Sequence, residues 1–359
     1  MKILVVRVSA IGDVIHTLPA IFFIKRCYPN AHISWIVQEK AASLLKEQPF
    51  LDNVWVLPDH FLAPRNWKTT YKIIKTIRSH TWDAIIDFQG LFKTACIHMW
   101  LKGPTFGFDK HHARDRFNAW FTSHHTTPMY RNIIQKNLAL ASDTLAACGD
   151  HTQCPSVHKL QKDFFLAVPP TQQQLVDQWL SDRNITAPVL LFPNTTWPSK
   201  HWPLHRWQEL ITLIATHYNP HSFILGGSTL GKQAADLAYM IQSQDLPIHI
   251  LPPYDLISIA HLIKKSALII APDTGVLHLA DFLGTPSLGI FGPTTVEKHG
   301  PFLSKKNQHN AIQVACPHRA RKQHAHKKRS SVVYDCMEQL DAATVHNVLR
   351  KILGIKGNL

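Results

Sequence analysis

A chain of 359 residues, 45% of them hydrophobic and 17% charged, is apolar enough for a large core and too long for one ordinary domain, so two domains of roughly 150 residues each are expected. Its 38 basic against 24 acidic residues, a formal +14, suit a phosphate-rich partner such as nucleic acid, an anionic membrane surface or a phosphorylated glycan. Six cysteines without a Cys-x-x-Cys pair, an apolar start interrupted by Arg7 and Asp13, and no apolar stretch near the ~20 residues of a bilayer crossing argue against a disulfide scaffold, a secretory leader and a membrane span.

Along the first half, short apolar runs alternate with helical patterns. Residues 2–8 read as a buried strand, broken at Ser9-Ala10-Ile11-Gly12-Asp13, and 14–26 as a helix kinked at Pro19. Strands follow at 33–37, 54–57 and 84–88. The stretch 103–130 is rich in His, Arg and Phe without a clear period, and 132–148 is helical up to Gly149. A weaker pattern over 154–170 marks a linker. Alternation then restarts, with strands at 189–192, 223–225, 268–271 and 287–291, helices at 202–218 and 274–283, and a last helix over 338–353. Strands separated by helices give an α/β chain of two open, mostly parallel sheets, whose ligands sit at the carboxyl ends of the strands.

Chemistry is expected at those ends. Asp273-Thr274-Gly275-Val276-Leu277-His278 lies between a buried strand and a helix, where free backbone N–H groups, a hydroxyl and a close-approach glycine suit phosphate. Alone, Asp273 reads equally as a helix cap and His278 as a packed histidine; Gly292-Pro293-Thr294, ending the next strand, favours the anion site. In the first domain the matching turn places Asp13 as a general base, and Gly-x-Gly-x-x-Gly spacing is absent, against a nicotinamide dehydrogenase. Lys200, in the loop after the first strand of the second domain, is placed to neutralise a leaving phosphate. Arg65 and Lys68, with Lys72, Lys75 and Arg78, form a basic patch, much of which is read as solvated surface. The denser run 318–329 has no carboxylate or cysteine pair at metal-ligand spacing and reads as a basic loop.

Taken in order, these segments form a pattern. Arg7-x-Ser9-x-x-Gly12-Asp13, Asp87-Phe88-Gln89-Gly90-Leu91-Phe92-Lys93-Thr94, Thr195-Thr196 with Lys200-His201-Trp202-Pro203, Asp273-Thr274-Gly275-x-x-His278 and Gly292-Pro293-Thr294 together resemble the lipopolysaccharide heptosyltransferases, glycosyltransferase family 9, and most of all heptosyltransferase I. The resemblance implies a GT-B fold, two Rossmann-like parallel-sheet domains facing across a cleft. Residues 1–165 would bind the acceptor and 175–335 the nucleotide sugar, with a C-terminal helix in 338–359 packing back toward the N-terminal domain. It implies inverting, metal-independent transfer of heptose from ADP-L-glycero-D-manno-heptose to a Kdo residue of Kdo-lipid A in the inner core. Asp13 would be the base, with Lys200 the second catalytic residue. Thr195, Thr196, Asp273, Thr274, Gly275, His278, Gly292, Pro293 and Thr294 would bind the donor. Ser9, Gly12, Arg65, Lys68, Gln89, Lys93 and Arg114 would bind the acceptor. No cofactor and no metal are expected, and the protein would be a monomer, cytoplasmic and peripheral to the inner membrane. Heptosyltransferase II, which adds heptose to heptose, and a core transferase using another nucleotide sugar stay open. Where the family often has an acid after Gly226-Gly227, this chain has Ser228-Thr229-Leu230-Gly231. In a different class, the charge alone admits a nucleic-acid-binding protein, but no reader motif accompanies it.

Overall fold

The computed structural model describes residues 1–149, 164–218, 222–226, 232–241, 246–304, 307, 310–316 and 335–353. The chain divides into two compact units, Met1–Ala167 and Val168–Leu359.

In the first unit, β1 (Lys2–Val6), β2 (His32–Gln38), β3 (Asn53–Leu57), β4 (Ala84–Asp87), β5 (Thr105–Phe108) and β6 (His124–Thr126) form a sheet in the order β3-β2-β1-β4-β5-β6. Every neighbouring pair is parallel. Both faces are covered by helices, so the central strands are near-continuous apolar runs, and Ile3 to Val6 are fully buried. The helices are α1 (Ile11–Ile15), α2 (Leu18–Cys27), α3 (Glu39–Leu45), α4 (Trp67–Arg78), α5 (Phe92–His98) and α6 (Ile133–Ala147). Pro19 does more than kink the expected helix. It sits in the first turn of α2, where its missing N–H costs nothing, and the chain breaks at Thr17.

The second unit repeats this plan. Strands β7 (Val189–Leu191), β8 (Phe223–Leu225), β9 (Ile248–Ile250), β10 (Leu268–Pro272), β11 (Ser287–Phe291) and β12 (Ala311–Gln313) run in the order β12-β11-β10-β7-β8-β9, again all parallel. Renumbered within their own unit, these strands follow the same doubly wound order as the first sheet. Around them lie α7 (Pro170–Ser181), α8 (Leu204–Tyr218), α9 (Lys232–Ile241), α10 (Leu256–Lys265), α11 (Gly275–Leu283), α12 (Val296–His299), α13 (Asp335–Glu338) and α14 (Ala342–Ile352). The expected linker over 154–170 falls largely outside the described residues, as does the basic run 318–329.

Within the second unit α14 has one apolar stripe, Ala342, Val345 and Leu349, and buries it against Trp202, Trp207 and the other apolar side chains of that unit's core. Trp202 Nε1 donates to Leu340 O at 2.9 Å, securing the same corner. The cysteines depart from the expectation in one respect: Cys27 is disulfide-bonded, while Cys96 and Cys148 keep free thiols and Cys336 Sγ lies 3.0 Å from Cys316 Sγ.

Candidate active site

Each doubly wound sheet changes winding direction between its two central strands, and the loops leaving those strands form a ready crevice for a ligand. In the first unit these are the loops after β1 and β4. Arg7 follows β1 directly and is 1% exposed; its Nη1 donates to Phe88 O, and Trp35 Nε1 holds its carbonyl at 3.1 Å. A buried guanidinium requires a carboxylate. Asp13 supplies it, with Oδ1 3.0 Å from Arg7 Nη2 and 2.6 Å from Arg114 Nη2. Asp13 Oδ2 also accepts from Ala10 N at 3.3 Å, fixing the turn.

The charges tune one another. Burial alone would raise the Asp13 carboxyl, but Arg7 and Arg114 outweigh it and hold the group well below the ordinary carboxylate range. Burial lowers the Arg7 pKa to about 10, against the pull of Asp13. Lys93 is lowered by burial and then by the two guanidinium groups, and its Nζ donates to Ser9 Oγ at 2.8 Å.

The β4 loop braces this cluster. Gln89 Oε1 accepts from Val8 N and Ser9 N at 3.0 and 3.2 Å. Asp87, fully buried, takes Gln89 N at 2.8 Å and Gly90 N at 3.1 Å on Oδ1, and Thr94 Oγ1 and Asn118 Nδ2, both at 2.8 Å, on Oδ2. Gly90 adopts φ +62°, and a Cβ there would meet Arg114 N at 3.3 Å, so glycine lets the Arg114 loop close over the site.

In the second unit the loops after β7 and β10 carry the corresponding residues. Lys200 Nζ lies 2.6 Å from Asp273 Oδ2, and His278 Nε2 lies 3.0 Å from Oδ1. Burial would raise Asp273; Lys200, His278 and His299 more than offset it and hold it well below the usual range. His299 is pushed down to about 4, chiefly by burial, although Asp273 pulls the other way. Thr195 Oγ1 donates to Trp197 O at 2.6 Å and shapes the loop that presents Lys200. Thr274 stands at the N-cap of α11 without capping it. Its Oγ1 and that of Thr294 are buried and have no hydrogen-bond partner among the described residues. Two orphaned hydroxyls, the free N–H groups of a helix's first turn and an ammonium make an anion site.

The sequence profile of glycosyltransferase family 9 (heptosyltransferase) matches residues 70–329. The chain belongs to this family. Lipopolysaccharide heptosyltransferase 1 of Campylobacter coli is 29% identical to this glycosyltransferase over 300 residues, 82% of this chain and 84% of that protein. The protein of the same name from Pseudomonas aeruginosa is 29% identical over 314 residues, 82% and 79% of the two chains. Among solved structures, E. coli heptosyltransferase WaaC with ADP aligns with a TM-score of 0.74 at 20% identity, covering 98% of this chain and 100% of that one. The shared fold is GT-B.

Not every candidate residue of this glycosyltransferase joins a cluster. Asp13, Ser9, Gln89, Lys93 and Arg114 come together with Arg7, and Gly12 lies in the α1 turn beside Asp13. Arg65, in the short turn before α4, and Lys68, in its first turn, stand exposed, and among the described residues neither bonds to that cluster. Lys200, Asp273 and His278 converge, with Thr274 and Gly275 at the start of α11, while Thr196 stays exposed. Gly292 is glycine for packing: a Cβ would run into Met337 Sδ. Gln313 Nε2 ties its carbonyl and that of Thr294, each at 3.2 Å, and so sets the turn that includes Pro293. Roles for Arg7, Asp87, His299 and Gln313 were missed. A charged residue next to the apolar run of β1 was the available signal for Arg7; the others required the tertiary fold.

Proposed function

We propose that this glycosyltransferase moves heptose from ADP-L-glycero-D-manno-heptose to a Kdo residue of Kdo-lipid A, with inversion and without a metal ion. It would act as a peripheral protein on the cytoplasmic face of the inner membrane. The observation that carries the reading is the set of loops after β7, β10 and β11: Thr274 and Thr294 hydroxyls without a partner among the described residues, the α11 N–H groups and Lys200 suit a diphosphate. Named relatives that are heptosyltransferases support the sugar.

In this reading the acceptor hydroxyl oxygen attacks the anomeric carbon as its proton passes to Asp13. The bond to the diphosphate breaks on the opposite face, and Lys200 with the α11 amides takes up the charge of the departing ADP. Lys200 then trades Asp273 for phosphate, leaving His278 on the carboxylate.

Asp13, held far down by two guanidinium groups, is a weak base as it stands. Arg7 is buried and fixed, but the Arg114 side chain is 41% exposed and free to turn to an anion. The carboxylate of a Kdo acceptor is such an anion. On binding it draws Arg114 away, and the Asp13 pKa rises when a base is needed.

The test is a transfer assay with Kdo-lipid A that compares ADP-heptose with other nucleotide sugars, with and without chelator. The anomeric configuration of the product is read by NMR. Transfer from ADP-heptose alone, with inverted product and no effect of chelator, is expected. Preference for another donor, retention, or loss of activity restored by a divalent ion would overturn the corresponding part.

A further inference from the structure

Besides Trp120 and Met129 elsewhere, the first unit exposes an aromatic surface on α4 whose side chains join none of the contacts around Asp13. Helix α4 buries Thr70, Ile74 and Ile77 among Phe61, Leu57 and Trp82. Its outward side presents Trp67, 58% exposed, and Tyr71, 44% exposed; Trp100, 44% exposed, and Met99, 64% exposed, follow α5. The rings form one platform. Trp67 and Tyr71 stack with centroids 6.5 Å apart, Tyr71 meets Trp100 edge-on at 6.3 Å, and the Arg78 guanidinium lies 5.9 Å from the Trp100 centroid. Exposed Lys72 and Lys75 flank it, and α4 contains no acidic residue.

Large aromatic rings left in water cost free energy unless something covers them. We propose that this platform docks on an anionic lipid bilayer, Trp67, Tyr71 and Trp100 entering the headgroup layer while Lys72, Lys75 and Arg78 meet lipid phosphates. The residue types decide the partner. Trp and Tyr favour the membrane–water interface, and lysines beside them add attraction to anionic lipid. A protein interface would deplete lysine at its centre. Single-stranded nucleic acid would use rings free to stack with bases, whereas here the rings engage one another and Arg78, and Met99 offers only a flexible aliphatic surface. The proposal deepens the reading of a lipid-borne acceptor, and it rests on that reading only for the expectation that a membrane is near.

The experiment is co-sedimentation of the full chain with vesicles of phosphatidylcholine, alone or mixed with phosphatidylglycerol and free of any glycolipid. Binding to the anionic vesicles that weakens with salt is expected. Because each basic side chain at such a surface contributes about fivefold, Lys72→Ala/Lys75→Ala should lower the partition coefficient by about 30-fold. Trp67→Ser/Tyr71→Ser should remove the part of binding that survives high salt. Both double variants should keep the parent's unfolding temperature; if one does not, quenching of the parent's tryptophan fluorescence by brominated lipid decides the question. Equal binding to neutral and anionic vesicles, variants that bind like the parent, no quenching, or a salt-sensitive shift with single-stranded DNA in place of vesicle binding would each overturn the proposal. Transfer to a water-soluble acceptor, measured on the same preparations, reports on the activity separately, so an active chain that ignores vesicles refutes the docking face alone.

Discussion

Lys200→Met separates a structural from a catalytic role at the proposed donor site. Methionine keeps most of the aliphatic stem and removes the charge. Lys200 Nζ lies 2.6 Å from Asp273 Oδ2, with side chains 18% and 8% exposed. Deleting one partner of such a buried pair costs about 3–5 kcal/mol when nothing else answers the charge left behind. Here His278 Nε2, 3.0 Å away, and the neighbouring His299 can answer it, so about 2–3 kcal/mol at neutral pH is expected. The histidine also sets a pH dependence. His299 stands at about 4 in the folded parent, below its unfolded value of about 6.5, so its protonation favours the unfolded chain as pH falls between those values. Losing Lys200 removes one repelling cation and lets that pKa rise, so the stability gap between parent and variant should narrow toward acid. Turnover should fall by about 10²–10³, the scale of one charge-stabilising donor, well below the unfolding temperature. Urea unfolding at neutral and mildly acid pH, alongside steady-state transfer kinetics, measures both. An unchanged kcat with reduced stability would make Lys200 only the counter-ion of Asp273 and would sink its leaving-group role.

Three further outcomes are expected. Asp13→Asn should lower turnover by about 10²–10⁴, the contribution of a general base, while a thermal shift with ADP stays as in the parent; normal turnover would remove Asp13 as the base. Thr274→Val deletes a hydroxyl that has no partner among the described residues, so folding stability should hold while ADP binding weakens by about three- to tenfold, one neutral hydrogen bond; a loss of stability with unchanged binding would contradict the assigned role. Arg114→Ala removes a cation that depresses Asp13, so the acid limb of the kcat/KM profile should move to higher pH and the acceptor KM should rise. A fixed limb would show that Asp13 is not the group titrating there.

How much of this could be read in the sequence depended on burial. Central strands of a parallel sheet are covered on both faces, so β1, β2, β4, β7, β10 and β11 stand out as apolar runs. The outer strands β5, β6, β9 and β12 did not stand out. His124 and His125 of β6 and Ile250 of β9 are exposed, and short strands with water on one side carry no continuous hydrophobic signal; β5 is buried throughout, but its Thr-Phe-Gly-Phe is too short and mixed to form an apolar run. The same contrast holds at the site. Asp13, Lys200 and Asp273 were found because each follows a strand that could be recognised. Arg114 is joined to Asp13 across 101 residues of chain, from a stretch without visible period. Its membership came through the family resemblance, and only the fold shows which atom it touches.

The two units also show why composition alone pointed in several directions. Both sheets place one carboxylate among cations at the point where the winding reverses, yet the roles are inverted. In the first unit the carboxylate is the proposed reagent; the cations hold it ionised, and in that reading a competing anion would draw Arg114 away. In the second the cation is the proposed reagent; Asp273 holds Lys200, and in that reading phosphate would displace it. An acceptor carboxylate and a donor diphosphate are both anions, so each substrate would enter by taking a cation from a resident carboxylate. That exchange needs a positively charged chain with few acidic residues at its two sites, and a +14 total is compatible with it without any nucleic acid. It also makes salt a diagnostic: raising ionic strength should increase both substrate KM values, because screening weakens the attraction that draws each anion in. The effect on turnover of bound substrates should be much smaller, since the pairs that then matter are shielded from solvent.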